Sequence, residues 1–189
     1  RKSKFKEGNE MVESVVIDGE EYRKINGHWV DSTYCIPPQR ILVEIYKALV
    51  DVTDLTKYSD GFLEKYLAEL KTNGLYMESL TIIKYLLPKY EKDKNIRGLR
   101  YILPVYTSCL RLSGNPKSAV LAFNRARELF GREIISTMLA TSVAAAYCDL
   151  EEFEKAQKFC NMAYALQDRT QGGRDELSLV YKRIENHLK

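Results

Sequence analysis

Residues 140–163 read ATSVAAAYCDLEEFEKAQKFCNMA, and this stretch decides the fold. Ala140, Val143, Ala144 and Tyr147 recur at helical spacing, so they form one apolar stripe. Asp149 to Glu152 interrupt it with a short polar break, and a second stripe follows through Phe153, Ala156, Cys160 and Ala163. The pattern predicts two antiparallel helices. Ala156 lets their backbones approach, and the larger residues fill the space beside it.

The same design recurs upstream. Residues 103–126 read LPVYTSCLRLSGNPKSAVLAFNRA, and residues 63–87 read LEKYLAELKTNGLYMESLTIIKYLL. The small residue is Ser79, Ala119 or Ala156. Four positions later comes Ile83, Phe123 or Cys160, and three after that Leu86, Ala126 or Ala163. Fixed self-similarity of this kind is the mark of a repeat architecture.

On these residues the chain resembles the tetratricopeptide repeat (TPR) family. The third unit carries Val143, Ala144, Tyr147, Phe153, Ala156, Cys160 and Ala163 at that family's spacings. The second matches with Tyr106, Leu110, Gly114, Ala119, Phe123 and Ala126, and the first with Tyr66, Leu70, Gly74, Tyr76 and Ser79. There are departures. The spacing from Ser79 through Ala119 to Ala156 is longer than the family period. Leu63, Leu103 and Ala140 stand where the family has Trp, and Pro88 comes early. An unrelated helical bundle with small-residue contacts is the alternative. The final segment, from Arg174, carries Leu177, Val180, Tyr181, Ile184 and Leu188 on one face, as a capping helix behind Gly172-Gly173 would.

Upstream of Pro37-Pro38 the character changes. Residues 1–10 are charged and read as frayed. Asp18-Gly19 and Asn26-Gly27 are strong two-residue hairpin signals, because both central residues must take positive φ. Val15, Val16, Ile17, Tyr22, Ile25, Trp29, Val30 and Tyr34 flank them. These predict a three-stranded meander at 12–18, 20–25 and 28–34. So small a sheet must lean on another element. Ile41, Leu42, Ile45, Tyr46, Leu49 and Val50 predict the first helix. The expected fold is mainly α, an antiparallel helical-hairpin array with a small N-terminal β-meander. The expected division is 1–36 and 37–189, with about eight helices.

Lys plus Arg is 29 and Asp plus Glu is 26, giving a net charge of +3. That balance argues against a protein built to neutralise phosphate backbones. The four cysteines form no C-x-x-C pair and no metal-ligand spacing, which predicts reduced thiols in a cytoplasmic protein with no resident metal or cofactor. No apolar run approaches the length of a membrane span, so no membrane partner is expected. The chain begins at Arg1 and not Met, which suggests a piece of a longer polypeptide. His28 and His187 lack a neighbouring nucleophile, and no phosphate-binding loop or H-E-x-x-H helix appears. An enzyme is therefore not expected. Tyr22, Trp29 and Tyr34, interleaved with Arg23, Lys24 and His28, have base-stacking types on the meander. Residues 1–36 are net acidic, which weakens that reading.

The TPR resemblance implies a concave groove lined by the first helix of each unit. The positions are Glu64, Ala68 and Lys71; then Tyr101, Pro104, Ser108 and Arg111; then Met138, Thr141, Ala145 and Cys148. The family's carboxylate clamp is absent, since Glu64, Ala68, Ser108 and Ala145 occupy its positions. The expectation is a non-enzymatic interaction module. It would bind a peptide, a partner helix or another domain through Glu64, Lys71, Tyr101, Ser108, Arg111, Met138 and Thr141. The alternatives are a groove filled by the protein itself and an accessory domain of a nucleic-acid-processing protein.

Overall fold

A computed structural model describes residues 3–7, 10–166 and 174–187. Contacts divide it into two compact units, Arg1–Ser59 with Thr72–Leu75, and Asp60–Lys71 with Tyr76–Lys189.

The first unit holds an antiparallel sheet in the order β1 (Ser3–Glu7), β2 (Glu10–Ile17), β3 (Glu20–Ile25) and β4 (His28–Val30). The three expected strands form. Asp18 and Gly19 take φ of 51° and 86°, and Asn26 and Gly27 take 50° and 83°, the left-handed pair both turns require. The strand over Ser3–Glu7 was not expected. Its residues are charged, but β2 offers an unpaired edge, and Phe5 registers with Val12. β4 stops at Val30, short of the expected 34. Asp31 ends it, because its carboxylate accepts from the Thr33 and Cys35 amides and draws the chain into a turn. Helix α1 (Gln39–Leu49) buries Leu42, Ile45 and Tyr46 and packs on β2, the support so small a sheet needs.

The second unit is helical: α2 (Asp60–Thr72), α3 (Tyr76–Lys92), α4 (Ile96–Leu112), α5 (Pro116–Phe130), α6 (Thr137–Asp149), α7 (Phe153–Leu166) and α8 (Arg174–His187). Gly172-Gly173 and Leu188 lie outside the described residues. Ser79, Ala119 and Ala156 are fully buried, as are Ile83, Phe123 and Cys160 beside them. Pro88 and Pro104 fall inside α3 and α4 and end neither.

One turn recurs. After α3, α4 and α6 the residues Lys94, Gly114 and Glu151 take φ of 50°, 87° and 60°. In each case that residue's N–H donates three positions back, and the next residue's N–H donates five back. This pairing closes the orphan carbonyls of the helix end and reverses the chain. Alternate helices consequently run parallel. Contacts between them include Glu91–Arg125, Ser108–Ser142 and Asp149–Arg183, each 34 residues apart, with Tyr101–Glu64 and Arg111–Asp149 at 37 and 38.

Gly98 of α4 packs against the Tyr90 ring of α3. A Cβ built there would lie 2.6 Å from the buried ring of Tyr90, so only glycine fits.

Candidate functional site

The seven expected groove residues do not stay together on one open face. Ser108 and Thr141 are buried, at 4% and 1% exposure. Ser108 Oγ pairs with Ser142 Oγ at 2.8 Å across the α4–α6 contact, and Thr141 Oγ1 donates to the Thr137 carbonyl at 2.8 Å. Both are corrected here from groove-lining to packing residues. Ala145, Cys148 and Pro104 are buried with them. The reason is size: Ser, Thr and Ala let α4 and α6 approach until no floor is left open.

The other five remain partly accessible. Tyr101 is 40% exposed, and its hydroxyl donates to the Glu64 carbonyl oxygen at 3.1 Å. The Glu64 carboxylate accepts from Tyr90 at 2.7 Å. Burial first, and then the Glu64 hydrogen bond, push the Tyr90 hydroxyl well above the usual phenol range. Lys71 Nζ lies 3.9 Å from Glu176 of α8. Arg111 donates to Asp149 at 3.2 Å, and Arg183 of α8 donates to the same carboxylate at 2.6 Å. Met138 is half-buried on α6. Helix α8 buries Leu177, Val180 and Ile184 and packs on both α6 and α7. Its ion pairs therefore reach α2 and α6, and the protein's own helix engages the charged side chains that a groove ligand would need.

The cysteines offer no nucleophile on this face. Burial raises the Cys109 and Cys148 thiols, and it raises Cys160 to about 12, with Cys148 adding to the effect. Thiols in apolar surroundings are poor thiolates and poor nucleophiles. Among the described residues no cluster of His, Cys, Asp and Glu could hold a metal ion.

A different opening lies between α3, α4 and α5. It has a volume of about 240 Å³ and is lined by Leu87, Glu91, Leu103, Tyr106, Leu121 and Arg125, with Ser118, Ala122 and Ala126 at its wall. Arg125 meets Glu91 in a two-pronged pair at 2.6 and 2.8 Å, and the pair lifts the guanidinium further above its ordinary value. Leu121 is 67% exposed beside the cleft, and Leu129, two turns further along α5, is 56% exposed. Sequence reasoning passed over this site. The signal was there in Leu121 and Leu129, which fall off the Ala119–Phe123–Ala126 packing ladder and so point away from the core.

No family model matches the chain, and neither curated proteins nor solved structures provide a match.

Proposed function

We propose that the helical unit is a non-enzymatic protein-interaction module that docks a partner segment in the cleft between α3 and α5. The observation that carries this reading is the cleft itself. It is a recess of mixed apolar and polar lining that holds the Glu91–Arg125 ion pair, and one of its leucines, Leu121, stands mostly in water. Exposed apolar surface with a polar rim is the usual signature of a contact site. At about 240 Å³ the recess is below the size of ordinary small-molecule pockets, but it suits one or two anchoring side chains.

A TPR-like assignment belongs to the same proposal. It is supported by the repeated helix turn, the buried small residues Ser79, Ala119 and Ala156, and the 34-residue spacing of three contacts between alternate helices. The docking face differs from the one the family resemblance implied, because small residues and α8 occupy the groove side. Four free thiols, three of them buried, support a reducing, cytoplasmic setting.

The test is site-specific photo-crosslinking in cells. A photoreactive residue in place of Ser118, which also lines the cleft, should capture a defined partner, and one in place of Lys71 should not. Leu121→Asp should abolish that capture while the far-UV spectrum and urea midpoint stay unchanged. Capture from position 71 alone would move the site back to the groove.

A further inference from the structure

We infer that the segment this cleft receives is acidic and amphipathic, an apolar anchor with a carboxylate about one helical turn away. This rests on the docking reading above and adds the chemistry of the partner.

The charges at the two ends of the cleft differ. At one end Glu91 and Arg125 neutralise each other. Leu87 of α3 and Leu121 of α5 line the same opening. Lys84 is three residues before Leu87, and Lys117 is four before Leu121. Each therefore lies one turn along the same helix face. Both lysines are exposed, and neither is ion-paired among the described residues. A half-buried Leu87 and an exposed Leu121, each with an exposed lysine one turn before it on its own helix, form a surface with polarity along its length.

A helix laid along α5 with its anchor between Leu87 and Leu121 would bring a residue one turn away over Lys84 and Lys117. A carboxylate there gains two charge pairs at a half-exposed rim. A lysine there meets two like charges, and the same site rejects it. Anchors at helical spacing in an apolar groove are a common recognition mode, and flanking charge supplies the selectivity.

Panning a displayed peptide library on the intact chain tests this directly. Binders that hold the intact chain and fail on Leu121→Asp should be enriched in Asp or Glu one turn from an apolar residue. Reversing both lysines, as Lys84→Glu with Lys117→Glu, should weaken those binders about tenfold, the size expected for two partly exposed pairs, and should select basic flanks instead. Leu121-dependent binders with no acidic bias would overturn the partner chemistry and leave the docking site standing. Binders indifferent to Leu121→Asp would overturn the docking site as well. Salt-sensitive binding of a single-stranded oligonucleotide, lost on the lysine reversal, would give the site to a polyanion. Sedimentation showing a dimer that Leu121→Asp dissociates would give it to a second copy of this chain.

Discussion

Two contacts between parallel helices, α4 with α6 and α3 with α5, are made at the same offset of 34 residues and end in opposite states. At the first, Ser108 meets Ser142, with Thr141 and Ala145 alongside, and the surface closes completely. At the second, Glu91 meets Arg125, with Leu87, Leu121 and Tyr106 alongside, and an open cleft remains. Side-chain size separates the two. Small residues bring backbones together and leave nothing to bind, while large residues hold helices apart and leave space between them. The same helical frame thus makes a packed seam on one side and a candidate docking surface on the other.

The closed seam is the more vulnerable to substitution. Ser142→Leu puts three carbons in place of one oxygen at a buried helix contact and strands the Ser108 hydroxyl. The expected loss is about 2–4 kcal/mol, from overpacking together with an unsatisfied buried donor. A urea titration measures it. Thiol labelling gives a second readout, because Cys109, Cys148 and Cys160 are buried while Cys35 is exposed. The intact protein should react quickly with a disulfide reagent only at Cys35, and the variant should expose the others. If Ser142→Leu is as stable as the parent, close packing is not what shuts the seam.

Gly98→Ala probes the close approach of α3 to α4. Alanine favours a helix over glycine by about 1 kcal/mol, so propensity alone predicts stabilisation. The added methyl meets the Tyr90 ring at 2.6 Å, and that ring is buried and held through its hydroxyl by Glu64. Overpacking costs about 1–3 kcal/mol and should win, which lowers the urea midpoint. A raised midpoint would mean that Tyr90 has room to yield.

The elements that were legible in the sequence are those set by local chemistry. Asp18-Gly19 and Asn26-Gly27 specified their turns because few other pairs tolerate left-handed backbone. Ala156, Ala119 and Ser79 marked the hairpin crossings by size. The strand over Ser3–Glu7 was illegible, since its pairing comes from an edge elsewhere in the chain and its own residues are mostly charged. The burial of Ser108 and Thr141 was illegible for a related reason. Spacing put Ser108 and Thr141 on one helix face correctly, but it carries no information about what packs against that face. Lys71–Glu176 and Asp149–Arg183 are likewise agreements between distant helices.

The open seam should be nearly indifferent to loss of its own ion pair. Arg125 is more than half exposed, so Arg125→Ala should cost under about 1 kcal/mol despite the two-pronged geometry. A loss comparable with Ser142→Leu would mean that the pair, and not the helix ladders, holds α3 to α5.

Turn substitutions are the finest test, because they separate the seams from the connections between them. Lys94 and Glu151 occupy the same left-handed position that Gly114 occupies, and a side chain there costs about 1–2 kcal/mol of backbone strain. Lys94→Gly relieves the strain but frees the unfolded chain, which returns part of the gain. The net expectation is stabilisation of about 0.5–1 kcal/mol in urea titrations, with peptide binding at the cleft unchanged. Gly114→Ala should shift stability by a similar amount in the opposite direction. If Lys94→Gly stabilised the fold and also altered the cleft, the turn before α4 would be setting the distance between α3 and α5. The open seam would then owe its width to the connection rather than to the size of Leu87, Tyr106 and Leu121.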